Sequence, residues 1–428
     1  MNEVLKDSGV PWIGLINENY KQIKLKWIVS TKITDGPHTT PELQDEGIPF
    51  LSAEAVKNSI LDFEYKRGYI SISDHEEFCK KCKPKLNDIF MVKSGATTGN
   101  IGIVNTDEEF SVWSPLALIR CNAEKANQKF VYYAMLSSCY KTEIELSWSY
   151  GTQQNIGMGV IENIHVILPS LNEQKAIANI LDNKCEKIDK LILLEETAIT
   201  ELKEYKKSII QKAVTNGITN TKLKKSNVNW LIEMPVHWEI KRFNYCVKVR
   251  QEIDQYSDDK LFLGLENIAS WSGKYLETES KYLEKQADIY CKNDVLFSKL
   301  HPYLAKVYYA NEDGFCTSEF LVIKSFCGNM MYLYFLLLNS AFINIVNSST
   351  YGIKMPRANW DFIKDLKIPV PPIDEQNEIV DFLNKKISKI DNLISLKQQK
   401  ITELKEYKKS LIYEYVTGKK QPPKKDTK

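Results

Sequence analysis

The clearest periodic pattern in the chain is an apolar seam in steps of three and four between Asn172 and Val214. Residues on this seam share one face of a helix: Ile177, Leu181, Ile188, Leu191, Ala198, Leu202, Tyr205 and Ile209. The segment predicts a helix about 65 Å long at about 1.5 Å per residue. Asn172 is its candidate N-cap, and Gly217 just beyond it is a stop signal.

The same seam occurs a second time near the end of the chain. Its members are Ile379, Leu383, Ile390, Leu393, Leu404, Tyr407 and Leu411, with Asp374 as candidate N-cap and Gly418 as stop signal. Residues 200–208, TELKEYKKS, recur unchanged at 402–410, an offset of 202 residues. The offset drifts to 206 at 87–89 against 293–295, and to 212 at 50–51 against 262–263. We infer a duplicated module in which the helix stayed constant while the rest diverged.

Each long helix needs a partner for its seam, and the candidate is its own copy. Between the helices lie a first body, about residues 20–168, and a second body, about 238–370. Both contain short β-type runs such as 101–104 and 294–297, and each has an apolar segment, 131–138 or 333–340, that predicts one buried helix. The predicted fold class is α+β: two similar mixed α/β bodies separated by two long antiparallel, coiled-coil-like helices with a pseudo-two-fold internal repeat.

The predicted domain boundaries follow from these patterns. They are residues 1–170 for the first domain, 171–217 for the central helix, 218–370 for the second domain, 371–418 for the C-terminal helix and 419–428 for a disordered basic tail.

One position breaks the agreement between the copies. Glu195 lies midway along the first seam, and its repeat equivalent is Lys397. Equivalent residues of an antiparallel pair can face each other only near its midpoint, where like charges would repel. We therefore predict that Glu195 and Lys397 approach each other.

Composition is that of a globular protein, with 428 residues, 43% of them hydrophobic and 26% charged. The longest apolar stretch, 330–338, is far short of the ~20 residues of a membrane span, and the N-terminus has no apolar leader segment. We expect a cytoplasmic protein with no membrane partner. Since 57 basic residues face 55 acidic ones, affinity for nucleic acid must come from local basic residues or from a partner.

Candidate catalytic and metal-binding chemistry is sparse. Nine scattered cysteines favour reduced thiols, and Cys79, Cys82 and His75 fall short of the four ligands of a structural zinc site, so we expect no metal. The phosphate loop GxxxxGK[ST], the dinucleotide motif GxGxxG, an Asn/Asp-Pro-Pro-aromatic element and GxSxG are all missing from the sequence. We predict a chain that is not an enzyme and has no cofactor of its own.

Five segments of the sequence resemble those of a known family. They are VPWIGLI (10–16), KITDGPHTTPELQDEGIPFLS (32–52), NDVLFSKLHPYLAKV (293–307), YGIKMPRANW (351–360) and IPVPPIDEQNEI (368–379). Their order, with the two copied helices, resembles the specificity subunit of type I restriction-modification systems over essentially the whole chain.

The resemblance implies a function. Residues 1–170 and 218–370 would be target recognition domains, each reading one half of a bipartite, asymmetric site in double-stranded DNA. The helices 171–217 and 371–418 would dock two methyltransferase subunits, which carry S-adenosylmethionine, and restriction/translocase subunits would complete the complex. Two alternatives stay open: a two-domain scaffold that binds no DNA, and an enzyme whose site is unrecognised.

Candidate DNA-binding residues lie in polar, glycine-containing loops. In the first body they are Thr34, Asp35, Gly36, His38, Thr39, Ser94, Thr97, Thr98, Tyr150, Gly151, Gln153, Gln154 and Asn155. In the second body they are Lys299, His301, Tyr303, Lys306, Tyr351, Gly352, Lys354 and Arg357. Asn and Gln pair well with adenine, and Lys and Arg pair well with guanine. We expect Trp12 and Trp230, at the start of each module, to have packing roles.

Overall fold

A computed structural model describes residues 4–148, 154–257, 259–278, 285–352 and 355–423. The chain divides into two compact units, Met1–Leu194 with Lys400–Lys428, and Glu195–Gln399. Both unit boundaries therefore fall inside the long helices, and each unit contains segments of both helices.

The first unit is built from short strands and four short helices. Its strands are β1 (Leu5–Asp7), β2 (Leu15–Asn17), β3 (Lys21–Lys24), β4 (Thr34–Asp35), β5 (Ile48–Leu51), β6 (Val56–Lys57), β7 (Ile60–Leu61), β8 (Gly68–Ile70), β9 (Ile89–Val92), β10 (Ile101–Ile103), β11 (Ser111–Val112), β12 (Leu116–Ile119) and β13 (His165–Leu168). Its short helices are α1 (Ile72–Lys81), α2 (Gln128–Leu136), α3 (Ser138–Leu146) and α4 (Met158–Glu162), and the long helix α5 spans Leu171–Asn216.

A six-stranded sheet in the order β4-β12-β9-β10-β7-β6 is the centre of this unit. β9 is buried along its whole length because α2 and α3 cover one face and the smaller β11-β5-β8 sheet lies on the other side of the fold. Ile177 and Leu181 of α5 are fully buried in the same core.

The second unit has a corresponding set of strands and helices. Its strands are β14 (Leu223–Val228), β15 (Leu231–Pro235), β16 (Glu239–Arg242), β17 (Val247–Val249), β18 (Ile253–Gln255), β19 (Leu261–Leu263), β20 (Gln286–Tyr290), β21 (Val295–Ser298), β22 (Val307–Tyr309), β23 (Gly314–Cys316), β24 (Phe320–Phe326) and β25 (Lys367–Val370). Its helices are α6 (Phe243–Cys246), α7 (Met330–Leu337), α8 (Ser340–Ser348), α9 (Trp360–Asp365) and the long α10 (Ile373–Val416).

Its central sheet runs β17-β24-β21-β22, which matches β4-β12-β9-β10 strand for strand. A second sheet, β18-β20-β23-β19, packs nearby, and β16 pairs with β25 as β3 pairs with β13. The mixed α/β class and the internal repeat are confirmed.

The long helices begin at Leu171 and Ile373, each one residue before its candidate N-cap. Asn172 and Asp374 therefore lie in the first turn and are not the N-caps. Hydrogen bonds of the glutamine in the same turn explain why both copies keep Gln there. Buried Gln174 donates to the carbonyl of Pro169 at 2.9 Å and accepts from the backbone of Asn127 at 2.8 Å, and Gln376 repeats both bonds with Pro371 and Asn329.

Two other expectations need correction. Segment 131–138 is not one helix, because Ser137 is extended (φ −69°, ψ 159°) and separates α2 from α3. Segment 333–340 likewise divides between α7 and α8, where the Asn339 side chain caps α8. In the segment assigned to the tail, Lys419 Nζ lies 2.6 Å from Tyr413 Oη, so the chain contacts α10 at this point.

The tryptophans that open each module pack as expected. Trp230 is buried in the main core of the second unit and donates from its indole nitrogen to the carbonyl of Lys367 at 3.0 Å. Trp12 lies against a small cluster around Ile13 and Ile16. Within the described ranges no single helix is long and apolar enough to cross a membrane, and only the bent pair α7 and α8 taken together meets that test of length and composition.

Candidate nucleic-acid interface

In the first body, two of the predicted loops meet at the end of β9. Ser94 forms an isolated antiparallel bridge with Asn155. Next to it, Ile156 donates its N–H to the carbonyl of Lys93 at 2.8 Å, and Gly95 donates to the carbonyl of Gln154 at 3.1 Å. The loop after β9 and the segment before α4 are therefore hydrogen-bonded to each other and form one surface.

The second body builds the same junction at the end of β21. Leu300 bridges Arg357, and Ala358 donates to the carbonyl of Lys299 at 2.8 Å. These residues are the repeat equivalents of Ser94, Asn155, Ile156 and Lys93. Two diverged sequences thus keep one backbone arrangement while they change the side chains on it.

Asp35 is the central charged group of the first junction. It is buried at the end of β4, and its two carboxylate oxygens lie 2.5 Å from Lys81 Nζ and 2.5 Å from Lys93 Nζ. Burial alone would raise the pKa of Asp35, but the hydrogen bonds and charges of the two lysines outweigh burial and hold the pKa below its usual value. Asp35 therefore positions lysines and does not face solvent as a DNA contact would.

The other candidates in the first body divide by exposure. His38, Thr39, Thr97, Gln154 and Asn155 are exposed, whereas Thr34 and Ser94 are half-buried. Buried Thr98 donates its hydroxyl to the carbonyl of Gly95 at 2.7 Å, so it supports the loop. Gly36 is buried too, and a Cβ there would lie 2.1 Å from the carbonyl oxygen of Val112. Thr98 and Gly36, which were predicted to contact DNA, are therefore both buried.

In the second body, the Arg357 guanidinium is held by Glu319, which accepts from its Nε at 3.0 Å and also from its Nη2. Arg357 remains 42% exposed. Burial and the neighbouring charge of Arg357 together lower the pKa of Lys299. Lys306 donates to the carbonyl of Leu265 at 2.6 Å, so it braces the neighbouring turn.

His301 and Ala305 have left-handed backbones with φ of +50° and +46°, which makes a compact turn between β21 and β22. The turn presents Tyr303, and Tyr351 on the neighbouring segment is also exposed, as is Gly352. Tyr150, Gly151, Gln153 and Lys354 lie outside the described residues.

The sequence-based list missed Lys81, Lys93 and Glu319. A signal existed for Lys93, because its repeat equivalent, Lys299, was already a candidate. Glu319 had no such signal, since its equivalent in the first body is Pro115.

The repeated segment TELKEYKKS contains a lysine that forms an ion pair with the other long helix, and several residues that are exposed. Lys206 Nζ lies 2.9 Å from Asp391, and the equivalent Lys408 Nζ lies 2.7 Å from Asp189. Both ion pairs join oppositely directed segments of the two helices. Most of the remaining residues that are identical in the two copies are exposed in both: Thr200 and Thr402, Glu201 and Glu403, Lys203 and Lys405, Glu204 and Glu406, Tyr205 and Tyr407, Ser208 and Ser410.

Among the described residues no group of three or more His, Cys, Asp or Glu is placed to hold a metal ion. Cys79 Sγ lies 3.6 Å from His75 Nε2, whereas Cys82 is buried, which raises its pKa to about 12. All nine cysteines are free thiols.

The sequence profile of the type I restriction modification DNA specificity domain matches residues 17–204 and 249–406, and the chain belongs to this family. It is 24% identical over 427 residues to the putative type I restriction enzyme MjaX specificity subunit of Methanocaldococcus jannaschii, with 95% of each chain covered. It is also 24% identical to the EcoDI specificity subunit of Escherichia coli, over 53% of this chain and 55% of that subunit.

Two solved structures share the fold. One, described as the structural basis of complex assembly and conformational transition of the type I R-M system, has a TM-score of 0.69 at 12% identity and covers 94% of this chain and 98% of that chain. The crystal structure of the HsdS subunit from Thermoanaerobacter tengcongensis has a TM-score of 0.51 at 14% identity, with the same coverage of both chains.

Proposed function

We propose that this chain is the DNA-recognition subunit of a type I restriction-modification complex, in which each body reads one half of a bipartite, asymmetric site. Family membership supports the class of protein. The two equivalent loop junctions with different side chains support two separate, unlike half-sites, because base-edge contacts carry sequence information while a shared backbone sets position.

The observation that carries the docking role is the identity of exposed residues in TELKEYKKS. Leu202 and Lys206 of this segment are packed against their surroundings, and Lys207 Nζ lies 4.5 Å from the centre of the Trp271 ring, whereas its equivalent Lys409 is exposed. Exposed positions usually tolerate substitution, since changes there shift stability by about 0.5 kcal/mol or less. Two diverging copies that keep the same exposed residues are therefore consistent with two identical partners, which we propose are methyltransferase subunits.

In the proposed role, the chain catalyses no reaction and binds no cofactor. S-adenosylmethionine would bind to the methyltransferase subunits, which would flip the target adenine out of the stack, and restriction/translocase subunits would join the same complex. With a net charge of only +2, the chain alone is expected to bind DNA weakly.

The test is to co-purify the full chain with the methyltransferase subunits of its own system and to weigh the complex by native mass spectrometry. We expect two methyltransferase subunits per chain, and sequence-selective adenine methylation that needs every component. A stable, active complex with one methyltransferase subunit would refute the docking proposal. Methylation by the chain alone would favour an enzyme, and absence of DNA binding by the full complex would favour a scaffold.

A further inference from the structure

The two loop junctions share a lysine at one of three equivalent positions and differ at the other two. In the second body these positions hold Lys299, Glu319 and Arg357, and in the first body they hold Lys93, Pro115 and Asn155. The equivalence is structural: the backbone N–H of Lys299 donates to the carbonyl of Glu319 at 2.9 Å, and that of Lys93 donates to the carbonyl of Pro115 at 2.8 Å.

In the second body, Arg357 lies beside the acidic Glu319. In the first body, the equivalent positions hold Asn155 and the uncharged Pro115. Glu319 accepts from Nε and Nη2 of Arg357 and so fixes the plane of the guanidinium. The backbone of Arg357 is fixed as well, since it bridges both Leu300 and Tyr351. A long side chain that is normally mobile is thereby held rigid at a partly exposed position.

The Glu319 contact leaves part of the guanidinium available. Arginine has five N–H donors, and the contact uses one on Nε and one on Nη2. The remaining donors include a parallel pair on Nη1 and Nη2. This end-on pair matches the O6 and N7 acceptors of guanine in the major groove, whereas the side-chain amide of asparagine matches N6 and N7 of adenine.

We propose that Arg357 reads a guanine in the half-site of the second body, with Glu319 as its positioning residue, while Asn155 presents an amide to an adenine at the equivalent place in the first body. This inference rests on the proposed function, because it assumes that both junctions face DNA bases.

The test uses the full chain in complex with its methyltransferase subunits and a library of DNA sites, with methylation read by sequencing. Arg357→Gln should lower the preference for guanine at one position of one half-site by about 5- to 150-fold, the range expected for one bidentate base contact. Asn155→Ala is the matched variant and should reduce an adenine preference in the other half-site only.

Two further variants separate base reading from other roles. Arg357→Lys keeps the charge and can still reach a guanine, but it loses the planar fork that Glu319 holds, so the guanine preference should fall less than with Arg357→Gln. If Arg357→Lys instead restores methylation fully while Arg357→Gln lowers methylation of every sequence alike, Arg357 contacts a phosphate and the inference is wrong. Glu319→Gln should reduce the same guanine preference by a smaller factor while the midpoint of thermal unfolding stays close to that of the unaltered complex. A general fall in methylation with unchanged base preferences would show a merely structural role for Glu319.

The inference and the proposed function fail differently. If the unaltered complex methylates without sequence preference, the proposed function fails. If it is selective but Arg357→Gln leaves every base preference unchanged, only the inference fails.

Discussion

Lys397 Nζ donates a 2.7 Å hydrogen bond to Glu195 Oε2, and the two residues occupy the same position in the two copies of the repeat. Two equivalent residues can meet in this way only where oppositely directed helices pass their midpoint. Like charges at this position would repel each other, so the difference between the copies has a physical reason. The approach predicted from the sequence is confirmed.

This ion pair should have a measurable coupling energy. Glu195 is nearly buried and Lys397 is partly buried, so we expect a double-mutant cycle on Glu195→Ala and Lys397→Ala to give about 0.5 to 1 kcal/mol in the free energy of unfolding. Urea titration of the four proteins measures it. As a control, the exchanged pair Glu195→Lys with Lys397→Glu should recover most of the stability that Glu195→Lys alone loses; no recovery would contradict a direct interaction.

The long helices and the internal repeat could be predicted because the periodic segment is long and its copy is closely similar. The predicted seam was wrong in part, since Leu191, Tyr205, Leu393 and Tyr407 are exposed whereas Ile199 and Ile401 are buried. Helix ends and the break at Ser137 were missed because local capping decides them, and apolar periodicity carries no information about one extended residue. The DNA-binding role of the loops stays a prediction, and the ion pairs within the loops were not foreseen. Lys93 and Asp35 are joined only by the fold, and the Glu319 contact to Arg357 likewise links distant parts of the sequence.

The ion pairs Lys206–Asp391 and Lys408–Asp189 provide a comparison at equivalent positions. The first pair is 10% and 20% exposed, and Asp391 also contacts Lys274 at 3.1 Å; the second is 28% and 55% exposed. Lys206→Met should cost about 1 to 3 kcal/mol, less than for a fully buried pair because Lys274 remains, whereas Lys408→Met should cost about 1 kcal/mol or less. Chemical denaturation of both variants tests this order, and equal losses would show that burial does not set the difference.

The loss of stability caused by Lys206→Met should depend on pH. Burial would raise the pKa of Asp391, but Lys206 and Lys274 outweigh it and hold the pKa below its usual value. A lowered folded pKa stabilises the protein above the unfolded pKa of about 4, and this contribution is lost as pH falls through the folded value. The stability difference between the unaltered protein and Lys206→Met should therefore shrink below about pH 4. Lys203→Met, an exposed change on the same helix, should show no such trend.

Asp35→Asn tests whether the buried carboxylate positions the lysines of the first junction. Lys93 is only 14% exposed, so loss of its charged partner should cost about 1 to 3 kcal/mol of unfolding free energy. Base preference should weaken in the half-site of the first body alone. His38→Ala is the control, since exposed His38 lies 3.3 Å from the same carboxylate yet should change stability by about 0.5 kcal/mol or less. Equal losses of unfolding free energy in Asp35→Asn and His38→Ala would contradict the positioning role of Asp35.

Tyr205 and Tyr407 are 54% and 52% exposed, and they occupy the same position in the two copies of TELKEYKKS. Large exposed aromatic residues are typical anchors of protein interfaces. If each helix docks one methyltransferase subunit, Tyr205→Ala should weaken one binding event by about 2 kcal/mol, or about 30-fold, and Tyr407→Ala should weaken the other. Because both side chains are exposed, the free energy of unfolding should change by about 0.5 kcal/mol or less.

Native mass spectrometry at graded methyltransferase concentrations measures this effect. Each single variant should accumulate complexes with one methyltransferase subunit, and the double variant should bind neither subunit tightly. Leu193→Ala is the matched control, because Leu193 is 63% exposed but its repeat equivalent is Ser395, so two identical partners cannot both depend on it. If docking tolerates both tyrosine changes but fails with Leu193→Ala, the identical exposed residues of the two copies are not the docking sites of the methyltransferase subunits.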